Sequence, residues 1–278
     1  MKGSGNVFSL LMMVLSFCIG CLVSFLVDFP SKDYIPSNDF FSASSDEGMY
    51  QELARSYKAT AVKWRRLAGQ SYCASGLGPT GGWCLTKQLV EEQHIPADPG
   101  VSRGLVKYLT PLMTNNRPIT LVDIGAGVGQ YGTWLKQNNV KNITWHGFDG
   151  AENVENFTSG FVKWVDVTDP VFDTINIKGD WVLSLEIGEH IPPETTQSFL
   201  NTIDRHNRDG IMLSWAIPGQ GGFHHINCRS NEEVIGLLAD MGYTQDAWTD
   251  AFQAEVRETT EAIWFKNSFM VFKRIKRG

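Results

Sequence analysis

Acidic and imidazole side chains stand together in the stretch Glu186-x-x-Glu189-His190, which directly follows an apolar run. Two more histidines, His224 and His225, lie in a glycine-rich loop further along the chain. Carboxylates and imidazoles bind Mg²⁺, Mn²⁺, Fe²⁺ or Zn²⁺ in proteins, so these residues could form one metal site. Without a metal, His190 or His225 could act as a general base, because imidazole titrates near neutral pH. Purely structural roles are the third alternative.

A glycine-rich turn follows the apolar run Leu121–Ile124 and has the spacing G-x-G-x-G at Gly125, Gly127 and Gly129. Glycines at such a turn allow the backbone to approach a ligand closely. Nicotinamide-binding proteins instead space their glycines as G-x-G-x-x-G. An acid two residues before the first glycine, here Asp123, is rare in that fingerprint.

This acid and glycine pattern resembles motif I of the class I S-adenosylmethionine-dependent methyltransferases. The resemblance implies a Rossmann-like α/β fold with a mainly parallel seven-stranded sheet and a C-terminal antiparallel strand. It also implies S-adenosylmethionine as cofactor, held through a cationic amino-acid group and a ribose. We therefore expect Asp123, Gly125, Gly127 and Gly129 to contact the cofactor.

Two further acids end the next two predicted strands: Asp149 follows Ile143–Phe148, and Asp166 follows Phe161–Val165. The crevice outside the carboxyl ends of the strands is where open α/β sheets bind ligands. Asp149 could accept hydrogen bonds from both ribose hydroxyls, and the resemblance implies that Asp166 lies against the adenine amino group. Glu186, which follows the fourth predicted strand, is a further candidate for cofactor binding.

The Glu-x-x-Glu-His pattern resembles metal-dependent O-methyltransferases, such as the small-RNA 2′-O-methyltransferases and the ubiquinone-pathway O-methyltransferases. This resemblance implies Glu186, Glu189 and His190 as metal ligands, while His225 is added by rough placement with His224 as its rival. A cation on a hydroxyl oxygen would lower its pKa and orient it toward the sulfonium methyl group. The loop Pro218-Gly-Gln-Gly-Gly222 and the segment Gly81-Gly-Trp-Cys84 resemble those of membrane-anchored methyltransferase-like proteins, a similarity that covers residues from about 70 to 275.

The net charge of −6 and the pI near 5.5 argue against binding of nucleic acid, which usually needs a basic face. An RNA substrate is therefore not expected. The expected acceptor is a hydroxyl of a glycan, and some of four tryptophans could stack on sugar faces unless they belong to the core. The alternatives are a lipid or small molecule at the membrane, or a non-catalytic lumenal binding module. The four tryptophans are Trp145, Trp181, Trp215 and Trp248.

An uncharged apolar run from Val7 to Val27 is long enough to span a bilayer as a helix. Lys2 precedes it, whereas Asp28 and Asp33 follow it, so the N-terminus is expected to stay in the cytosol. The sequence thus predicts a single-pass type II membrane protein of the endoplasmic reticulum or Golgi, with its catalytic domain in the lumen. The oligomeric state is left open.

Cysteine usage and glycosylation motifs agree with a lumenal location. Cys73 and Cys84 enclose a short loop rich in glycine and proline, which a disulfide between them would order. The sequons at Asn142 and Asn156 would carry glycans in the lumen.

Residues 1–27 are predicted as the N-terminus and anchor, 28–47 as a stem, 48–115 as a helical extension and 116–278 as the methyltransferase domain. Apolar residues at three- and four-residue steps predict a helix over Tyr50–Leu67, and alternating strands and helices predict a parallel sheet. The chain's end predicts three consecutive strands that form a terminal hairpin. The remaining predicted strands are Ile119–Ile124, Trp181–Leu185, Ile211–Ala216, Ala247–Val256, Ala262–Phe265 and Ser268–Ile275, and the remaining helices are Pro99–Met113, Tyr131–Gln137 and Glu232–Met241.

Overall fold

A computed structural model describes residues 43–73, 82, 84–93, 96–169 and 173–275 of the chain. The chain divides into two units after Leu53. Of the first unit, only residues 43–53 are described. The predicted anchor Val7–Val27 lies outside the described residues, so it stays a prediction. Among the helices that are described, none is both long and apolar enough to cross a membrane.

The described elements alternate between helices and strands along most of the chain. The helices are α1 Ala43–Cys73, α2 Lys87–Gln93, α3 Pro99–Leu109, α4 Gln130–Gln137, α5 Val154–Phe157, α6 Thr196–Arg205, α7 Asn231–Asp240, α8 Ala247–Thr259 and α9 Phe265–Ser268. The strands are β1 Ile119–Ile124, β2 Ile143–Asp149, β3 Val162–Trp164, β4 Trp181–Ser184, β5 Gly210–Leu213, β6 Tyr243–Thr244 and β7 Met270–Arg274.

All seven strands belong to one sheet in the order β3-β2-β1-β4-β5-β7-β6. Strand β7 is antiparallel to both of its neighbours, and the other pairs are parallel. The strand order reverses between β1 and β4, where Val122 lies opposite Val182. Ligands of open α/β sheets bind beyond the carboxyl ends of the strands at such a reversal. The predicted Rossmann-like α/β fold is confirmed.

Side chains on alternate strand positions enter two different cores, one on each face of the sheet. In β1, Val122 and Ile124 pack in one cluster, while Ile119 and Leu121 pack in the other. Successive side chains of a strand point to opposite faces, so both faces of β1 are covered. This explains why its sequence is almost continuously apolar.

The predicted terminal hairpin is wrong. Ala247–Val256 belongs to helix α8, in which Thr249, Phe252 and Val256 are buried at steps of three and four residues. Asp246 caps this helix by accepting hydrogen bonds from the backbone N–H groups of Trp248 and Thr249. The predicted strand Ala262–Phe265 is a loop that leads into α9. Only β7, within the predicted Ser268–Ile275, is a strand.

Helix α1 is longer than the predicted Tyr50–Leu67 and begins at Ala43, inside the segment predicted as a stem. Serine and aspartate are common both in linkers and in the first turn of a helix, so composition did not separate the two. The other predicted helices and strands are present, with ends that differ by a few residues.

Candidate functional site

A cavity of about 430 Å³ opens at the carboxyl ends of β1, β2, β3 and β4. It lies at the reversal of strand order, where the fold is expected to bind a ligand. The structure places eight of the ten predicted site residues in its lining: Asp123, Gly125, Gly127, Asp149, Asp166, Glu186, His190 and His225. Gly129 and Glu189 are not in the lining and are treated below.

At two positions of the turn after β1, a positive φ and a close neighbour both require glycine. Gly125 has φ +86°, and a Cβ there would lie 2.1 Å from Cδ1 of Ile187. Gly129 has φ +83° and precedes α4, and a Cβ there would lie 2.7 Å from the ring of Phe161. Gly125 therefore keeps the cavity wall tight against the β4 loop. Gly129 packs against Phe161 and is not in the cavity lining, so its contact with the cofactor stays a prediction.

Asp149 joins two turns at the edge of the cavity. Its Oδ2 accepts a hydrogen bond of 2.8 Å from the backbone N–H of Gly127, and its Oδ1 accepts one of 2.8 Å from Ala151. A carboxylate has about four acceptor sites, so these two bonds leave capacity for further donors. Asp149 is thus held rigidly and can still accept hydrogen bonds from hydroxyl groups.

Asp123 is almost completely buried beneath the glycine turn. Its Oδ2 accepts a hydrogen bond of 2.9 Å from Nε1 of Trp145 on β2. Burial raises the pKa of Asp123 to about 7; the hydrogen bond from Trp145 opposes this shift and the charge of Asp149 adds to it. A carboxyl in this state gains from a cationic partner, because a nearby positive charge stabilises its ionised form.

Asp166 is held by a residue that the sequence analysis missed. Its Oδ2 accepts a hydrogen bond of 2.9 Å from Arg65 on α1, and its Oδ1 accepts bonds from the backbone N–H and the hydroxyl of Thr168. The periodicity of α1 predicts a helix at the domain's edge. It does not show which acids the polar side of that helix would contact.

The helical extension also supplies part of the cavity wall, through Gly82, Leu85 and Pro96. The backbone N–H of Leu85 donates to Oδ1 of Asn153, and Nδ2 of Asn153 donates back to the carbonyl of Leu85, both at 2.8 Å. Cys84 is buried next to this pair. The side chain of Cys73 lies outside those described, so the predicted Cys73–Cys84 disulfide stays a prediction.

Three of the four predicted metal ligands come together. Glu189, His190 and His225 each offer one ligand atom, and these atoms lie within 4.8 Å of one another. Nε2 of His190 is 3.9 Å from Oε1 of Glu189. Glu189 is 0% exposed, and neither of its carboxylate oxygens accepts a hydrogen bond from the part of the chain that the structure describes. A buried carboxylate in this state is costly, and a bound cation would offset that cost.

Glu186 is not part of this group of three. Its Oε2 accepts a hydrogen bond of 3.1 Å from Gln220, and its backbone adopts φ +54°. Left-handed backbone at a residue other than glycine is uncommon and often marks a functional site. Burial raises the pKa of Glu189 well above its ordinary value, and the charge of Glu186 adds to this effect. The two carboxyls are therefore close enough to interact, although the group of three does not include Glu186, the fourth predicted metal ligand.

His225, and not its rival His224, joins Glu189 and His190. Nδ1 of His225 is 3.1 Å from the backbone carbonyl of Gln220. A carbonyl can only accept, so Nδ1 carries a proton and Nε2 is the nitrogen that can bind a metal. Burial lowers the pKa of His190 to about 4, with further lowering by the charges of His225 and His224. His190 is thus a neutral imidazole at neutral pH, as a metal ligand must be.

The four tryptophans considered for sugar stacking do not line the cavity. Trp181 and Trp215 are fully buried in the core, which explains their presence in the sequence. Aromatic lining comes instead from Trp264 and Phe223, among others. Trp264 was missed because its segment, Ala262–Phe265, was predicted as a strand.

No protein-family model and no curated protein matches this chain. The chain is similar to a solved Synechocystis magnesium protoporphyrin IX methyltransferase with bound SAM, at 14% identity and a TM-score of 0.41, over 63% of this chain and 80% of that chain. It is similar to a Burkholderia thailandensis 1,6-didemethyltoxoflavin N1-methyltransferase at 14% identity and a TM-score of 0.43, over 89% of this chain and 98% of that chain. It is also similar to a Haemonchus contortus phosphoethanolamine N-methyltransferase at 15% identity and a TM-score of 0.39, over 63% of this chain and 52% of that chain. Likenesses this distant assign neither an activity nor an acceptor to this chain.

Proposed function

We propose that this chain is an S-adenosylmethionine-dependent methyltransferase that methylates a hydroxyl oxygen. One observation carries the proposal. The wall of one cavity contains the glycine turn and the acids at the carboxyl ends of β1, β2 and β3, together with Glu186, His190 and His225. The first set suits a nucleoside with a cationic side chain, and the second suits the activation of a hydroxyl.

The cofactor would be bound by residues that are already held in place. Asp149 would accept hydrogen bonds from the ribose hydroxyls, and Asp166 would accept one from the adenine amino group. The buried carboxyl of Asp123 suits the cationic amino-acid group, since that charge would stabilise its ionised form. The backbone at Gly125 and Gly127 provides the close approach.

Methyl transfer breaks the S–CH₃ bond and forms an O–CH₃ bond, and the sulfonium keeps the electron pair as a thioether. Glu189, His190 and His225 would hold a divalent cation, which supplies Lewis-acid activation of the acceptor hydroxyl. Glu186 lines the cavity and is the group that would take the hydroxyl proton. The metal-free alternative keeps this step and assigns the proton to Nε2 of His225.

The acceptor we propose is a glycan hydroxyl in the lumen of the secretory pathway. This rests on the predicted anchor and on the exposure of Asn142 and Asn156, which are accessible as lumenal sequons must be. The rings of Trp264 and Phe223 in the cavity lining can stack on a sugar face, and they suit the apolar body of a lipid as well.

The decisive experiment measures binding and transfer separately on the purified full-length chain. Calorimetry with S-adenosylmethionine and S-adenosylhomocysteine should show binding that Asp149→Asn weakens by at least about tenfold. Labelled methyl groups should then pass to glycoprotein extracts and not to lipid extracts. Absence of cofactor binding would mean a non-catalytic module, and transfer to lipid alone would overturn the glycan assignment. Sensitivity of the expressed protein to endoglycosidase, reduced in Asn156→Gln and lost when Asn142→Gln is added, tests the lumenal location.

A further inference from the structure

Arg65 connects helix α1 to the acid at the end of β3. Its Nη2 lies 2.9 Å from Oδ2 of Asp166, and its Nη1 lies 2.6 Å from Oε1 of Glu152. The two arginine nitrogens thus bridge two carboxylates that are distant from α1 in sequence. Of these acids, Asp166 lines the cavity.

This bridge differs from an ordinary surface ion pair in its burial. The side chain of Asp166 is 4% exposed and that of Arg65 is 21% exposed. Removing one partner of a buried pair leaves a costly unpaired charge, whereas exposed pairs contribute little. The guanidinium also lies 5.9 Å from the ring centroid of Trp164. The guanidinium of Arg65 is therefore held by two carboxylates through its N–H groups and by the ring of Trp164.

Gly69 shows how closely α1 approaches this site. A Cβ at Gly69 would lie 2.1 Å from the carboxyl carbon of Glu152, so a side chain there would have to displace the Glu152 carboxyl. Gly69 is buried and follows Arg65 by about one helical turn. The two residues place the same face of α1 against Glu152.

Both oxygens of Asp166 have a fixed partner. Thr168 holds Oδ1 through two hydrogen bonds, and Arg65 holds Oδ2 through one. The plane of the carboxylate is set by these contacts, and Oδ2 retains acceptor capacity beside the arginine. A carboxylate oriented in this way prefers a donor such as an exocyclic amino group. It disfavours a carbonyl, because two acceptors repel each other.

We infer that Arg65 is a positioning residue that fixes Asp166 to select adenine over a 6-oxo purine. Helix α1 is accordingly part of the nucleoside pocket. The inference rests on the proposed function, since it takes the nucleoside to be the adenosine of the cofactor. It predicts that the base selectivity of the cofactor site depends on a residue outside the strand-and-helix repeat.

The neighbouring residue Arg66 provides a matched control. It lies on the same helix, pairs with Glu155 at 2.7 Å, and has its guanidinium 5.4 Å from the ring centroid of Trp164. Arg66→Ala removes the same charge and a similar share of the packing between α1 and Trp164. Its partner Glu155 is outside the cavity lining that the structure describes.

The experiment compares S-adenosylhomocysteine with S-inosylhomocysteine, in which a carbonyl replaces the adenine amino group, by calorimetry on the full-length chain. The wild type and Arg66→Ala should prefer the adenine compound by about tenfold or more. Arg65→Ala should reduce that preference to within about threefold. Asp166→Asn, which can face either base with an amide, should also lose the preference. Where Arg65→Ala fails to fold, Arg65→Lys takes its place, because lysine keeps the charge and cannot bridge both carboxylates.

An unchanged preference in Arg65→Ala, or tighter binding of the adenine compound by it, would overturn the positioning role. Equal loss in Arg66→Ala would reduce the effect to general docking of α1 and would overturn it too. A wild type that binds neither compound is a failure of the proposed function itself. That result is distinguishable, because it appears before any variant is compared.

Discussion

Nε1 of Trp145 on β2 donates a hydrogen bond of 2.9 Å to Oδ2 of Asp123 on the neighbouring strand β1. The bond lies beneath the glycine turn and stabilises the ionised form of a buried carboxyl. It is opposed by burial, which is the larger effect and leaves the pKa of Asp123 at about 7. The charge on this residue therefore changes within the physiological pH range.

The first prediction is a pH dependence of cofactor binding. The group on the cofactor that Asp123 would meet is cationic, so binding needs the ionised carboxyl. Affinity for S-adenosylhomocysteine should fall as pH decreases through about 7, by up to about tenfold for each unit below it. Calorimetry between pH 5.5 and about 8.5 measures this slope. Asp123→Asn should bind weakly with a flatter profile, and an equally steep profile in this variant would contradict the assignment.

The second prediction concerns stability at the opposite edge of the sheet. Asp180, whose side chain is 2% exposed, accepts hydrogen bonds of 2.9 and 2.8 Å from the guanidinium of Arg117 and one of 2.8 Å from the backbone N–H of Thr120. Burial favours a higher pKa for Asp180, but these hydrogen bonds outweigh it and the pKa is lowered. Asp180→Asn should reduce the free energy of unfolding by about 2–4 kcal/mol at neutral pH.

The sign of the pH effect follows from the lowered pKa. The contribution of Asp180 is present above its ordinary value and is lost as pH falls through the pKa of the folded state. The difference in unfolding free energy between wild type and Asp180→Asn should therefore disappear in acid. Arg208 lies 3.5 Å from Oδ1 of Asp180 and is half exposed, so Arg208→Ala is a control expected to cost less than about 1 kcal/mol. A difference that grows in acid would contradict this account.

The part of the cofactor site that lies on the strands was predictable, because an apolar run and the acid at its end can both be identified within a short stretch of sequence. Asp123, Asp149 and Asp166 each lie at or near the end of an apolar run, and parallel strands bring these ends to one edge. Gly129 shows the limit of this reasoning. The same spacing that marks a ligand turn also serves packing against Phe161, and the sequence does not separate the two.

The parts that were missed depend on contacts between distant segments. Arg65 meets Asp166 across a separation of 101 residues, and nothing in the periodicity of α1 encodes that pairing. Helix α8 was mistaken for a strand because Ala247–Val256 mixes aromatic and β-branched residues with polar ones. The capping by Asp246 was the local signal that indicates a helix there.

The third prediction separates chemistry from binding at Glu186. This carboxyl lines the cavity and is held by Gln220, but it does not belong to the Glu189, His190 and His225 group. Glu186→Gln keeps the shape and removes the proton acceptor. Methyl transfer should fall by at least about a hundredfold, while the dissociation constants for S-adenosylhomocysteine and for Mn²⁺ change by less than about threefold. Loss of cofactor affinity with little loss of turnover would instead make Glu186 a cofactor ligand.

The fourth prediction uses two adjacent histidines to test the cation site. His225 joins Glu189 and His190 within 4.8 Å, whereas His224 has φ +56° and is not part of that group. His225→Ala and Glu189→Gln should each weaken Mn²⁺ binding by about tenfold or more, because each removes one of three ligands. His224→Ala should leave the affinity within about threefold of the wild type.

Equilibrium dialysis with Mn²⁺ and Mg²⁺ on the full-length chain measures these affinities without any acceptor. A chelator should abolish methyl transfer and leave binding of S-adenosylhomocysteine intact, since the cofactor acids lie on the other strands. Gly222→Ala should also weaken Mn²⁺ binding, because a Cβ there would lie 2.1 Å from Nε2 of His225 and must displace the ring. Full activity after exhaustive chelation, with turnover still lost in His225→Ala, would remove the cation and leave Nε2 of His225 as the base that takes the hydroxyl proton.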